Sequence, residues 1–161
     1  MVKILIVYDS RSGNTEKMAA AVTEGARKVK GTTVQVEKVD KTGLKDLLDA
    51  DGIIMGSPTY YGLMSAKLKA LLDESVKIHG KLEGKVGAAF TSSGNTATGA
   101  ETTILSMLQA MLVHGMIIQG RHDTKHYGAA AVGSPKEKEL DSCRELGKRV
   151  AELAAKLKKA K

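Results

Sequence analysis

The sequence predicts an α/β domain in three layers, a five-stranded parallel sheet of order 2-1-3-4-5 doubly wound with helices on both faces. Three observations carry that prediction. Apolar runs without alternation, Ile4–Val7, Ile53–Met55, Val86–Phe90 and Met116–Ile118, read as strands buried on both faces. Amphipathic helical patterns separate them. The chain shows no internal repeat, so strand alternating with helix implies crossovers within one sheet rather than a stack of units.

The elements follow in order. Ile4–Val7 forms the first strand and runs into a turn at Tyr8-Asp-Ser-Arg-Ser-Gly13. Met18, Val22, Ala26 and Val29 then recur on one helical face while Glu16, Lys17, Glu24, Arg27 and Lys28 take the other. Thr33–Val39 alternates, as a strand at a sheet edge does, which places it second in sequence and outermost in space. A short helical turn within 43–50 leads to the third strand, and Leu68, Leu71, Leu72 and Val76 mark the helix after it. The helix after the fourth strand, Thr102–Val113, carries no charge on any face. Ile104, Leu105, Leu108 and Leu112 serve the core there, leaving Met107, Gln109, Ala110 and Met111 for a contact between copies, so a homo-oligomer is expected. After Met116–Ile118 the segment 120–135 reads as a loop, and Cys143, Leu146, Val150, Leu153 and Leu157 draw one stripe along the last helix.

A length of 161 residues suits one domain spanning 1–161, and 42% hydrophobic with 27% charged residues is the balance of a water-soluble globule. No apolar run approaches the length needed to cross a bilayer. Met1–Tyr8 is short and lacks a small-residue cleavage site, so a signal peptide is not expected. Cys143 is the sole cysteine, which excludes an internal disulfide and points to a reducing compartment, the cytoplasm. A formal charge of +7 invites an anionic partner, but Lys156, Lys158, Lys159 and Lys161 sit at a helix C-terminus, where cations are favoured and solvated. Without a nucleic-acid motif, nucleic acid is not expected as a partner unless a basic patch lies on one face, and no membrane partner is expected.

Chemistry in such a sheet sits in the loops leaving the carboxyl ends of the strands at the topological switch point. The loop after the first strand, with Ser10, Arg11, Ser12, Gly13, Asn14 and Thr15, offers hydroxyls, a glycine for close backbone approach and the free N–H groups of a helix start, which together make a phosphate cradle. It is neither a dinucleotide fingerprint nor a P-loop. An ordinary N-cap by Ser12 or Asn14 is the plainer alternative. A receiver domain would need an aspartate ending the third strand, where Met55 and Gly56 stand instead. The next loop, Pro58, Thr59, Tyr60, Tyr61 and Gly62, sets two of the chain's few aromatic residues side by side, a face for a flat ring system. The loop after the fourth strand, Thr91, Ser92, Ser93, Gly94, Asn95 and Thr96, is small and polar and leaves backbone donors for the edge of such a ring. His122-Asp-Thr-Lys-His126 carries ligand types for a metal, but on a loop these are solvated groups, and no metal is expected.

With these loops the sequence resembles the flavodoxin superfamily, and most closely its WrbA-type NAD(P)H:quinone oxidoreductases. The resemblance rests on Ser12-Gly-Asn-Thr-Glu16, Gly56-Ser-Pro-Thr-Tyr-Tyr-Gly62, Met64-Ser-Ala-Lys-Leu-Lys69, Gly84-Lys-Val-Gly-Ala-Ala-Phe-Thr-Ser92, Glu101-Thr-Thr-Ile-Leu-Ser106 and His114-Gly-Met116, covering nearly the whole chain. Pro58-Thr-Tyr-Tyr61 stands where many WrbA-type proteins carry Pro-Thr-Arg-Phe, and the positive charge departs from the acidic plain flavodoxins. The resemblance implies non-covalent FMN, its phosphate held by Ser10–Thr15, its ring lined by Thr59–Gly62 and its polar edge met by Ser92–Thr96. It also implies that His114 lies near the flavin face. His114 has a second reading, as the residue closing a helix C-terminus. The expected activity is transfer of two electrons from NAD(P)H to a quinone-like acceptor, with His114 and Tyr60 orienting the acceptor or supplying a proton. A one-electron carrier that docks on redox proteins and a flavin-dependent interaction module use the same loops.

Overall fold

In β1 (Val2–Tyr8) neighbouring side chains point to opposite faces, and both faces are core: Ile4 and Ile6 enter one cluster, Leu5 and Val7 the other. That is why the run is apolar without alternation. The structure, a computed structural model, describes residues 1–160, so Lys161 of the expected basic tail lies outside the described residues. After β1 come α1 (Asn14–Arg27), β2 (Thr32–Lys38), α2 (Leu44–Asp49), β3 (Gly52–Pro58), α3 (Ala66–Glu74), β4 (Val86–Ser93) and α4 (Ala100–Val113). The chain closes with β5 (Ile117–Ile118), β6 (Ala129–Val132) and α5 (Glu137–Lys159).

All pairings between named strands are parallel and the order is β2-β1-β3-β4-β5. The edge strand β2 alternates in exposure as its sequence does, whereas β3 and β4 are buried along their whole length. The fifth position differs from expectation. β5 pairs only with Val86 and Gly87 at the start of β4, and β6 takes over beside Phe90–Ser93 at its end. Part of the expected loop 120–135 is therefore sheet. Its strand, Ala129-Ala-Ala-Val132, gives too weak an apolar signal to read as one.

The layers divide as the winding requires. α1 and α5 cover one face, and α2, α3 and α4 cover the other. α1 and α5 meet backbone to backbone: a Cβ on Gly25 would lie 1.8 Å from the Arg144 carbonyl oxygen, and one on Gly147 would lie 2.0 Å from that of Val22. Only glycine permits this approach. Arg144 fastens the pair from outside, its guanidinium bonded to Glu24, Glu137 and Asp141.

Two expectations for the second layer are corrected. In α4, Met107 and Met111 are fully buried while Leu112 is 58% exposed, so the methionines belong to the core and Leu112 to the surface. The helix enters the layer rotated from the face its leucines suggest. Val76, assigned to the apolar stripe of the helix after β3, lies in a 3-10 turn after α3 and is 70% exposed.

Candidate functional site

The loops after β1, β3 and β4 converge at the carboxyl edge of the sheet, beside the β1/β3 switch point. α1 begins there in an unusual way: its N-cap is Gly13 at φ +89, with no side-chain cap. Ser12 and Asn14, the two residues offered as ordinary caps, do not cap it. Ser10 Oγ turns inward and accepts from the N–H groups of Gly13 (3.2 Å) and Glu16 (3.3 Å). The amides of Ser12, Asn14 and Thr15 find no acceptor among the described residues. A Cβ built on Gly13 meets nothing within 4 Å, so space opens directly above a helix start with unspent donors and positive potential. A phosphate fits this cradle in charge, donor count and room.

Beneath the cradle, hydroxyl groups tie the three loops together. Thr15 Oγ1 and Ser92 Oγ share a hydrogen bond of 2.8 Å, joining α1 to the end of β4, and both side chains are buried. The Ser92 carbonyl accepts from Thr59 N–H (2.7 Å), and Thr59 and Thr91 hydroxyls lie 2.9 Å apart. Thr91 donates on to the Ser57 carbonyl, and Ser57 Oγ accepts from Ser65 N–H at the start of α3. Ser57 and Ser65 were not singled out from the sequence; their only signal is the hydroxyl density around Pro58. On the other side, Tyr8 OH donates to Glu16, which also pairs with Lys38. Burial first, then the Glu16 carboxylate, pushes the Tyr8 phenol up to about 12, so it stays a donor that pins the first turn of α1.

The loop after β3 is a tight hairpin. Tyr60 and Leu63 exchange two backbone hydrogen bonds of 3.0 Å across Tyr61 and Gly62, which both have positive φ, +49 and +76. Glycine suits that turn and tyrosine resists it. Tyr61 nonetheless stands there 105% exposed, with Tyr60 40% exposed beside it. A cleft of about 400 Å³ lined by Asp9, Ser10, Arg11, Tyr60, Ser65 and Lys67 opens between this hairpin and the cradle.

The candidate residues therefore sort clearly. Ser10–Thr15, Pro58–Gly62 and Thr91–Thr96 are brought to one edge. The hydroxyls of Thr91, Ser92 and Ser93 are taken by the protein and Thr96 N–H is taken by Asn95 Oδ1, so the β4 loop presents the backbone N–H groups of Gly94 and Asn95. His114 is not brought there. It follows α4, whose 14 residues carry the chain about 21 Å back to the opposite edge, and it is 7% exposed. Ser75 donates its hydroxyl to the Leu72 carbonyl, so His114 Nε2–H donates to Ser75 Oγ (2.7 Å), leaving Nδ1 buried with no partner. Burial and then neighbouring His79 lower its pKa. The expected place beside the flavin is thus corrected: within its own chain His114 closes α4, and its ring bonds Ser75 rather than the last carbonyls. In 122–126, Arg121 holds Asp123 far below the carboxylate range, and no group of three metal-ligand side chains occurs among the described residues.

Comparison with known proteins agrees with this geometry. The family profile described as NADPH-dependent FMN reductase matches residues 41–124. A flavodoxin of Aquifex aeolicus is 42% identical over 96% of this chain and 88% of its own length. An NAD(P)H dehydrogenase (quinone) of Archaeoglobus fulgidus is 40% identical over 98% of this chain and all (100%) of its own. Among solved structures, a WrbA-like flavodoxin from Agrobacterium tumefaciens superposes with a TM-score of 0.83 at 28% identity, covering 97% of this chain and 99% of that one. Fold, cradle and relatives together place the chain in the flavodoxin-like, WrbA-type family of FMN-binding redox proteins.

Proposed function

We propose that this protein is an NAD(P)H-dependent reductase of quinone-like acceptors, working through one non-covalently bound FMN. The observation that carries the cofactor assignment is the start of α1, whose N-cap residue Gly13 has no side chain to cap it, with unspent amides at Ser12, Asn14 and Thr15 and open space over Gly13. Ser10 and the backbone from Ser12 to Thr15 would hold the phosphate, Tyr60 and Tyr61 would wall the ring, and the backbone N–H groups of Gly94 and Asn95 would meet its polar edge. Bound FMN supplies electron transfer in steps of one or two. The chain's own part is placement: the buried hydroxyl network fixes the three loops relative to one another, and the exposed hairpin leaves one side open for an acceptor that Tyr60 orients. His114 has no role at its own chain's site.

The name of the Archaeoglobus relative, 98% of this chain aligned, supports the reductase. The name of the Aquifex relative supports a second reading, a flavodoxin that passes single electrons between redox proteins. Steady-state oxidation of NAD(P)H by the FMN-loaded protein with benzoquinone separates them. Sustained turnover supports the reductase; no turnover, in a protein that still takes and passes single electrons, establishes the carrier.

Two further assignments belong to this reading. A reducing compartment suits Cys143, buried and with its thiol pushed up to about 12 by that burial, and the cytoplasm is the compartment we assign. A homo-oligomer through α4 would use Leu105, Gln109 and Leu112 rather than the buried methionines. Light scattering on wild type and Leu112→Lys reads it: a monomer at micromolar concentration removes the assignment.

A further inference from the structure

We propose that the amino edge of the sheet, opposite the cofactor loops, is a docking face for an anionic lipid surface. The inference goes beyond the redox reading and does not depend on it.

Charge is distributed unevenly between the two ends of the strands. At the cofactor end cations and acids come nearer to balance: Lys38 pairs with Glu16 and Lys67 with Asp40, and against Arg11, Lys17, Lys41, Lys125, Lys136 and Lys138, which form no ion pair among the described residues, stand Asp9, Glu37, Glu101 and Glu139. At the amino end the balance fails. Arg27, Lys28 and Lys30 leave α1 there, Lys81 precedes β4, and Lys156 and Lys159 end α5; all are exposed and none forms an ion pair among the described residues. Lys158 has already claimed Asp51, so the acid without an ion pair at that end is Glu83. Six cations against Glu83 leave this end more basic than the cofactor end.

Exposed aliphatic groups gather at the same end. Val76 (70% exposed) follows α3, Val113 (72%) ends α4 and Ile117 (39%) begins β5. Like-charged lysines oppose self-association at this edge, and aliphatic side chains give a nucleic-acid backbone nothing to bind. The boundary between headgroups and acyl chains of an acidic membrane accepts both kinds of group. No described helix is long and apolar enough to cross a membrane, so the contact is peripheral. Docking would leave the cofactor loops facing water, about 23 Å away along seven-residue β1.

The test is flotation with vesicles of phosphatidylglycerol and phosphatidylcholine against vesicles of phosphatidylcholine alone. Binding to the anionic vesicles at low ionic strength is expected, with release in about 1 M salt, where screening shortens to about 3 Å. Replacing Lys28, Lys30, Lys156 and Lys159 by Glu should weaken it by more than about six-hundredfold, at roughly fivefold for each lysine lost, with FMN affinity unchanged. Val76→Ser with Val113→Ser should weaken it about tenfold at constant charge. Absence of flotation, or flotation that survives the four reversals, would overturn the proposal. So would duplex DNA binding as tightly as the vesicles with the serine pair silent, which would make this edge a nucleic-acid surface.

Discussion

The hydroxyl bond between Thr15 and Ser92 is the joint between the phosphate loop and the ring loop, and its strength is measurable by a double-mutant cycle. The two oxygens are 2.8 Å apart in side chains 1% and 7% exposed. Thr15→Val is close to isosteric, yet leaves Ser92 Oγ buried with no partner; Ser92→Ala does the same to Thr15. Each should cost about 1–3 kcal/mol, the penalty of a stranded buried polar group. The double variant removes both polar atoms and strands neither, so its cost should fall about 1–2 kcal/mol short of the sum. For a chain of this length each kcal/mol lowers the Tm by about 2–4 °C, which calorimetry resolves. Urea unfolding of the four proteins gives the coupling energy directly, provided the m value stays constant. Additive losses would refute the argument, because they would mean the hydroxyls do not depend on each other in solution.

Three other outcomes follow from the same geometry. Gly13→Val places a β-branched residue at φ +89, costing about 1–2 kcal/mol of stability, and fills the space over the helix start; FMN affinity should fall by more than about tenfold while riboflavin affinity holds in parallel titrations. Tyr61→Asn relieves a left-handed residue that packs against nothing, so stability should rise by about 0.5–1 kcal/mol in thermal unfolding. His114 binds a proton less readily folded than unfolded, so its contribution is fully present above the ordinary imidazole value near 6.5 and is lost as pH falls below it, at a slope approaching about 1.4 kcal/mol per pH unit. His114→Gln should flatten that limb in urea titrations across pH.

The sheet was legible because burial on both faces leaves a plain mark: Ile4–Val7 and Val86–Phe90 cannot be anything half-exposed, and Thr33–Val39 alternates because β2 is an edge. The cradle was legible because glycine and hydroxyls crowd into one turn. What escaped depends on orientation and on distance in three dimensions. The uncharged stretch of α4 fixes no rotation, so Ile104 and Leu108 are in the core as expected while Met107 and Met111 join them and Leu112 faces out. The Ala129–Val132 strand pairs with β4 and buries Ala129 and Ala131, but a run of three alanines carries little apolar signal in sequence. His114 sits beside Gly115 in a motif that carried the family resemblance, but motif and spacing do not say which end of a helix faces the cofactor. The charge asymmetry was invisible for the same reason: basic residues scattered from Arg27 to Lys159 meet only in the fold.

The central claim is that the β1–α1 loop reads a phosphate, and equilibrium titration of the apoprotein with FMN and with riboflavin tests it most directly. Two charge-assisted hydrogen bonds from the start of α1 predict that FMN binds at least about a hundredfold more tightly than riboflavin. Equal affinity for the two flavins would contradict the account and reduce the uncapped start of α1 to a feature of the fold alone.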